Sequence, residues 1–194
     1  MEKPLDLRIQ KTHLALTNAL LEMMEEMPFE DIRVKDLCDR AMLRKSTFYK
    51  HFADKYELLA FVVKEAMQDV GEKFAQTQPG ETPLELYTRL ISGLFYFVQE
   101  NEKLIHSAEK SDQAMLILNI ISQQVTPDLR KKLEEDQRNG VRLPASPEVM
   151  ASFFAGAIAE SVRHWLANGK KMDEEELKAQ LRGLVELVYH AANP

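Results

Sequence analysis

A single cysteine, Cys38, rules out an internal disulfide framework and a multi-cysteine zinc site. Its place on the apolar side of a helical pattern makes it a buried structural thiol. No Gly-rich phosphate loop, His-Glu-x-x-His or Gly-x-Ser-x-Gly occurs, so the common phosphate-binding, metalloprotease and serine-hydrolase signatures are missing. No apolar run approaches the roughly 20 residues that a membrane span needs. Met1 to Gln10 is polar and charged, unlike a secretory leader, so a cytoplasmic location is expected. Strand-type alternation, internal repeats and low-complexity tracts are also missing. What remains is 45% hydrophobic residues in 194, enough for one or two helical cores. The net charge of −6 is wrong for a bulk nucleic-acid binder. The charge is unevenly spread, however: Arg44 to Lys50 holds three cations and no acid.

That basic stretch lies inside a recognisable frame. Val34, Leu37, Cys38 and Ala41 fall at i, i+3, i+4 and i+7, one face of a short helix. Ile9, Leu16, Leu20, Met23, Met24 and Met27 form a matching stripe on the preceding helix. Pro28 stops that helix, and Phe29 and Ile32 plug the gap below the turn. A second short helix, Lys45 to Phe52, turns Phe48 and Phe52 inward. It leaves Arg44, Lys45, Ser46, Thr47, Tyr49, Lys50 and His51 outward. Cations, hydroxyls and an imidazole without an acid suit phosphates and guanine edges, so the spacing predicts a helix-turn-helix aimed at double-stranded DNA. Lys55, at the start of the next helix, is expected near a phosphate, where helix-end N–H groups also favour one.

The segment resembles the DNA-binding domain of the TetR family of transcriptional regulators. Ala41, Ser46-Thr47-Phe48-Tyr49-Lys50-His51-Phe52, Lys55 and Leu58-Leu59 carry the resemblance. It implies Arg44, Lys45, Thr47, Tyr49, Lys50 and His51 at the DNA surface, with Tyr49 and Lys55 on phosphates. Three residues depart from the common pattern: Met42 replaces a turn glycine, Arg44 a capping Ser or Asn, and Arg33 a Thr. A non-glycine residue at positive φ costs about 1 kcal/mol, and a lost cap costs about as much.

The remainder reads as an all-α body, giving residues 1–54 as the DNA-binding domain and 55–194 as a helical regulatory and dimerisation domain. Helix 55–76 links the two. Beyond the loop 76–83, helices are expected at Leu84–Glu100, Asp112–Val125, Asp128–Arg138 after a restart at Pro127, Glu148–Ala167, and from Asp173 to about Ala191. A short element lies between, ending near Glu109. Asn168-Gly169 is a helix stop, and Asp173 with Glu176 has capping-box spacing.

One recognition helix reads too few bases, so a homodimer on a palindromic operator is expected. Its interface is assigned to the last two helices through Phe154, Ile158, Trp165, Leu181, Leu184 and Val188. The resemblance implies the same pairing. Phe153 to Leu177 is also similar to a subgroup that includes regulators of dihydroxyacetone-kinase operons. The resemblance further implies repression and a small-molecule effector in the helical body. Tyr96, His106, Ser161, His164 and Trp165 are the polar or aromatic candidates for that effector. No cofactor and no membrane partner is expected. Two other readings are a regulator that depends on a protein coactivator and a metal-binding bundle enzyme. The second would use Glu102/His106 and Glu160/His164, whose i, i+4 spacing differs from the di-metal Glu-x-x-His motif.

Overall fold

The computed structural model describes residues 7–74, 81–102, 104–106 and 114–192. Among them every regular element is helical and no strand occurs, as the apolar periodicities predict. The helices are α1 (Leu7–Glu26), α2 (Val34–Arg40), α3 (Lys45–His51), α4 (Lys55–Phe74), α5 (Pro83–Glu100), α6 (Ala114–Arg138), α7 (Pro147–Ala167) and α8 (Glu174–Ala192), with a 3-10 turn at Phe29–Asp31. No described helix is long and apolar enough to cross a membrane.

The chain forms two compact units. The first is Met1–Glu65 with Asn101–Ile117, and the second is Ala66–Glu100 with Leu118–Pro194. The boundary therefore falls inside α4, eleven residues beyond the expected division after residue 54, and a later segment joins the first unit. The side chains explain the position: Leu58, Leu59, Val62 and Val63 are buried in the first unit, while Val70 lies against Gly93 of α5 in the second.

In the first unit Leu16, Leu20, Met23 and Met24 of α1 meet Leu37 and Cys38 of α2 and Phe48 of α3, all at most 3% exposed. Arg40 grips the Glu26 carboxylate through two nitrogens at 2.6 and 2.7 Å, tying α2 to α1. That bond holds the Glu26 carboxyl below its ordinary range. Asp54 caps α4 by accepting from the Glu57 N–H at 2.8 Å.

In the second unit α5 packs on α8. Thr82 and Glu85 form a reciprocal capping box at the start of α5, with Thr82 N–H donating to Glu85 at 2.8 Å. Ser146 caps α7 with Pro147 at its first position, so that helix starts one residue earlier than expected. Gly169 ends α7 at φ 68°, and Asp173 caps α8 by accepting from the Glu175 and Glu176 N–H groups.

One expectation fails outright. Pro127 does not restart the chain but sits inside the continuous helix α6. Its ring removes an N–H and crowds the carbonyl a turn earlier, at a cost of about 3 kcal/mol. Burial on both sides offsets that cost. Ile117 and Leu118 before the proline and Leu129 and Leu133 after it are buried, each contributing roughly 1.5–3 kcal/mol.

Candidate nucleic-acid interface and regulatory cavities

Two aromatic anchors set the orientation of α3. Phe48 is fully buried and Phe52 is 4% exposed, which turns the opposite face of this two-turn helix to solvent. Arg44, Lys45, Ser46, Tyr49 and Lys50 are exposed and Thr47 is half-buried. The Tyr49 ring stands edge-on against Phe48 at 5.4 Å, which fixes its direction while its outer part stays in water. The face therefore offers three cations and neutral hydroxyls on a rigid platform, suited to phosphate oxygens and base edges.

The turn before α3 carries the three sequence departures. Met42 adopts φ 54°, the left-handed conformation that glycine takes without penalty. Its side chain is 91% exposed, so no packing offsets the strain. Arg33 and Arg44 occupy the N-cap positions of α2 and α3, and neither side chain makes a capping bond. Met42→Gly is expected to stabilise the first unit by about 1 kcal/mol, raising its melting temperature by about 4–8 °C. Thermal unfolding of the two proteins checks this, and an unchanged or lower midpoint would show that Met42 carries no strain.

His51 is not simply outward. It is half-buried, and its Nδ1 lies 3.3 Å from Nε2 of His13 on α1, a pair bridged by one proton. His13 also rests against Phe52 and Phe61 at 5.2 and 4.7 Å. Burial, then the His51 ring, lowers the His13 pKa, and Glu65 opposes them. A folded-state pKa below the unfolded value means that the unfolded chain binds the extra proton. The contribution is therefore present above the unfolded value of 6.5 and is lost as the pH falls below it. Melting temperatures at pH 7.5 and 5.5 should show a drop at the lower pH. His13→Gln should reduce that drop, and an undiminished drop would remove His13 as its cause.

Lys55, expected near a phosphate, is tied into the first unit. Its ammonium donates to the carbonyls of Phe29, Glu30 and Ile32 at 2.8, 2.7 and 3.1 Å and lies 4.8 Å from the Phe29 ring centre. An ammonium has three protons, and all are used in closing the 3-10 turn onto α4. These bonds give Lys55 a structural role within the first unit.

The effector candidates divide. Ser161, His164 and Trp165 share an open cleft of about 540 Å³ with Glu160, Asn168, Lys171, Met172 and Leu177. Trp165 is held there by its Nε1, which donates to the Met172 carbonyl at 2.7 Å. Tyr96 lies elsewhere, with Lys73 Nζ donating to its hydroxyl at 2.6 Å. His106 is exposed and belongs to the first unit. Glu160 is gripped by Arg163 rather than paired with His164, and no cluster of metal-ligating residues occurs among the described residues.

A second cavity, about 50 Å³, lies between α5, α6 and α7 and is lined by Tyr87, Leu90, Leu94, Leu118, Ile121, Ser122, Val125, Leu129, Ala155, Ile158 and Ala159. Sequence reasoning missed Tyr87. Its position three and seven residues before Leu90 and Leu94 was the available signal.

Most of the residues assigned to a dimer interface belong to the core of the second unit. Phe154, Ile158, Trp165 and Leu181 are 3%, 8%, 8% and 5% exposed, and Val188 is half-buried. Tyr87 and Phe95 of α5 cover the rings of Phe154 and Trp165, at 4.4 and 5.4 Å. Only Leu184 of the set is exposed, at 61%, alongside Val149, Phe153 and Leu187 at 57–66%.

Comparison with known proteins agrees with this architecture. Residues 16–62 match the model of the bacterial regulatory proteins of the tetR family, and residues 85–187 match the transcriptional regulator C-terminal region TetR_C_8. A curated relative, the uncharacterized HTH-type transcriptional regulator YxbF of Bacillus subtilis, is 24% identical over 186 residues. The match covers 91% of this chain but only 45% of YxbF, so the chain spans about half the length of that relative. The fatty acid degradation regulator FadR of Bacillus halodurans superposes with a TM-score of 0.67 at 18% identity, covering 95% of both chains. The dihydroxyacetone kinase operon activator DhaS does so with a TM-score of 0.55 at 18% identity, covering 93% of this chain and 97% of its own. With its helix-turn-helix and its C-terminal helical region both matched, the chain belongs to the TetR family of DNA-binding transcriptional regulators.

Proposed function

We propose that the protein is a homodimeric repressor that binds a palindromic operator through α3 and is controlled by a small molecule bound in its second unit. The exposed cationic and hydroxyl face of α3, held by buried Phe48 and Phe52, is the observation that carries this reading. Arg44, Lys45, Ser46, Thr47, Tyr49 and Lys50 contact DNA, and His51 steadies the helix through His13.

Dimerisation uses the exposed apolar side of α7 and α8, where Phe153, Leu184 and Leu187 are each at least 60% exposed. Gly156 lies on α7 with open space around it, allowing a close helix approach. Phe153→Glu with Leu187→Glu should convert a dimer to a monomer in sedimentation equilibrium and weaken operator binding. A dimer that survives both changes would move the interface elsewhere.

Activation is the second reading, favoured by the similarity to a protein named as an operon activator. A reporter fused to the regulated promoter separates the two. Deleting the regulator raises expression for a repressor and lowers it for an activator.

A further inference from the structure

The last residue of α3 shares a hydrogen with α1. His51 Nδ1 lies 3.3 Å from His13 Nε2, and the two rings stand edge to face with centres 5.0 Å apart. The other nitrogen of His51, Nε2, has no hydrogen-bond partner among the described residues and is not one of their buried unpartnered atoms. It is therefore open to solvent, on the residue that follows the exposed Lys50. Phe52 and Phe61 pack on His13 and bring no charge. From α4, Glu65 acts on His13 with its negative charge.

Counting hydrogens limits what the pair can hold. When neutral, the two rings carry one N–H between them and one on an outer nitrogen, either His51 Nε2 or His13 Nδ1. One further proton fills both outer nitrogens and leaves the hydrogen between the rings in place. A second would put hydrogens on both facing nitrogens, which repel at 3.3 Å. While the contact holds, the pair therefore takes one proton and no more. In the free protein that proton is disfavoured: burial, then the His51 ring, lowers the His13 pKa, and Glu65 opposes them. A phosphate changes the balance, because it is negative and only accepts. Beside His51 Nε2 it selects the form in which that nitrogen carries hydrogen. An opposite charge within about 4–6 Å also favours the charged imidazole.

We propose that DNA binding by α3 is coupled to uptake of one proton by the His13–His51 pair, with His51 Nε2 donating to a backbone phosphate. His13, behind it on α1, is a positioning residue that keeps the hydrogen between the rings. Acid then acts in two directions: it weakens the free fold and tightens the DNA complex. This rests on the reading of α3 as the DNA-binding element and goes beyond it by making the proton a second ligand.

Calorimetric titration of the full chain with duplex DNA from upstream of its own gene tests this at pH 8 and pH 6, at constant ionic strength. The temperature is one at which circular dichroism shows the chain folded at both. Affinity should rise at least about tenfold at the lower pH. Heats measured in two buffers of different ionisation enthalpy should count up to about one proton taken up per chain. His51→Gln should bind without proton uptake and lose the pH dependence. His13→Phe keeps a ring against Phe52 and Phe61 but removes the acceptor, so it should cut the gain at pH 6 at least about threefold. A pH profile unchanged in either variant, no proton uptake by the parent, or weaker binding at pH 6 overturns the proposal. DNA binding without proton linkage overturns this inference alone, whereas a parent that binds no DNA at either pH overturns the reading of α3 with it.

Discussion

A Lys45→Ala, Lys50→Ala double variant should bind its operator about a hundredfold more weakly than the parent, with its fold intact. Both side chains are exposed on the solvent face of α3, opposite the buried Phe48, so removing them leaves the core untouched. Each cation that neutralises a phosphate releases condensed counterions, which ties affinity to salt. Losing two such contacts should flatten the logarithmic salt dependence by about two units. If one of the two instead reads a guanine edge, the slope falls by only about one and base preference relaxes at that position. Binding to operator and to scrambled DNA across a salt series separates these outcomes. Unchanged affinity and slope would remove α3 from the interface.

Lys55→Met should produce the largest loss of stability, about 3 kcal/mol, lowering the melting temperature of the first unit by more than about 10 °C. Methionine keeps much of the apolar stem but leaves three carbonyls without the donor that now joins the 3-10 turn to α4. Charge-assisted hydrogen bonds contribute about 1.5–3 kcal/mol each, and solvent recovers part of the loss for the exposed Glu30 carbonyl. At a temperature where the variant is folded, its salt slope should match the parent. A slope lower by about one with unchanged stability would return Lys55 to the phosphate backbone.

Lys55 shows where sequence reading stops. Its place at a helix start is visible in the chain, but the carbonyls that claim its protons come from residues 23 to 26 positions away. His13 and His51 are 38 residues apart, and neither sits in a pattern that names the other. The same limit explains the second unit. The stripes Phe154-Ile158-Trp165 and Leu177-Leu181-Val185 are apolar at helical spacing, which shows that they are covered but not by what. The cover proves to be within the unit, including α5; the exposed Phe153 and Leu187 lie out of phase with the stripes, while Leu184, seven residues after Leu177, lies at the edge of its stripe and is left uncovered. Asp136 looks like one more charge on a solvated helix, yet it is 5% exposed and paired with Lys132.

Features governed by neighbours in the chain were legible. Phe48 and Phe52 anchor α3 because they are one turn apart, Gly169 ends α7 because it tolerates positive φ, and Asp173 caps α8 from just outside it. Met42 was marked by its identity alone, and its φ of 54° follows from the tight turn between two short helices. Pro127 misled for a related reason. Local chemistry argues for a break, and burial on both sides of the proline outweighs it.

The most direct test of the central claim is titration of the purified chain against the DNA upstream of its own gene, with excess competitor DNA and at two salt concentrations. Binding that survives competitor, weakens with salt and protects one inverted repeat is the predicted result, with Tyr49→Phe weakening it across all sequences. Binding that competitor abolishes, or that the Lys45→Ala, Lys50→Ala variant retains in full, would contradict the assignment of α3 as the element that reads DNA.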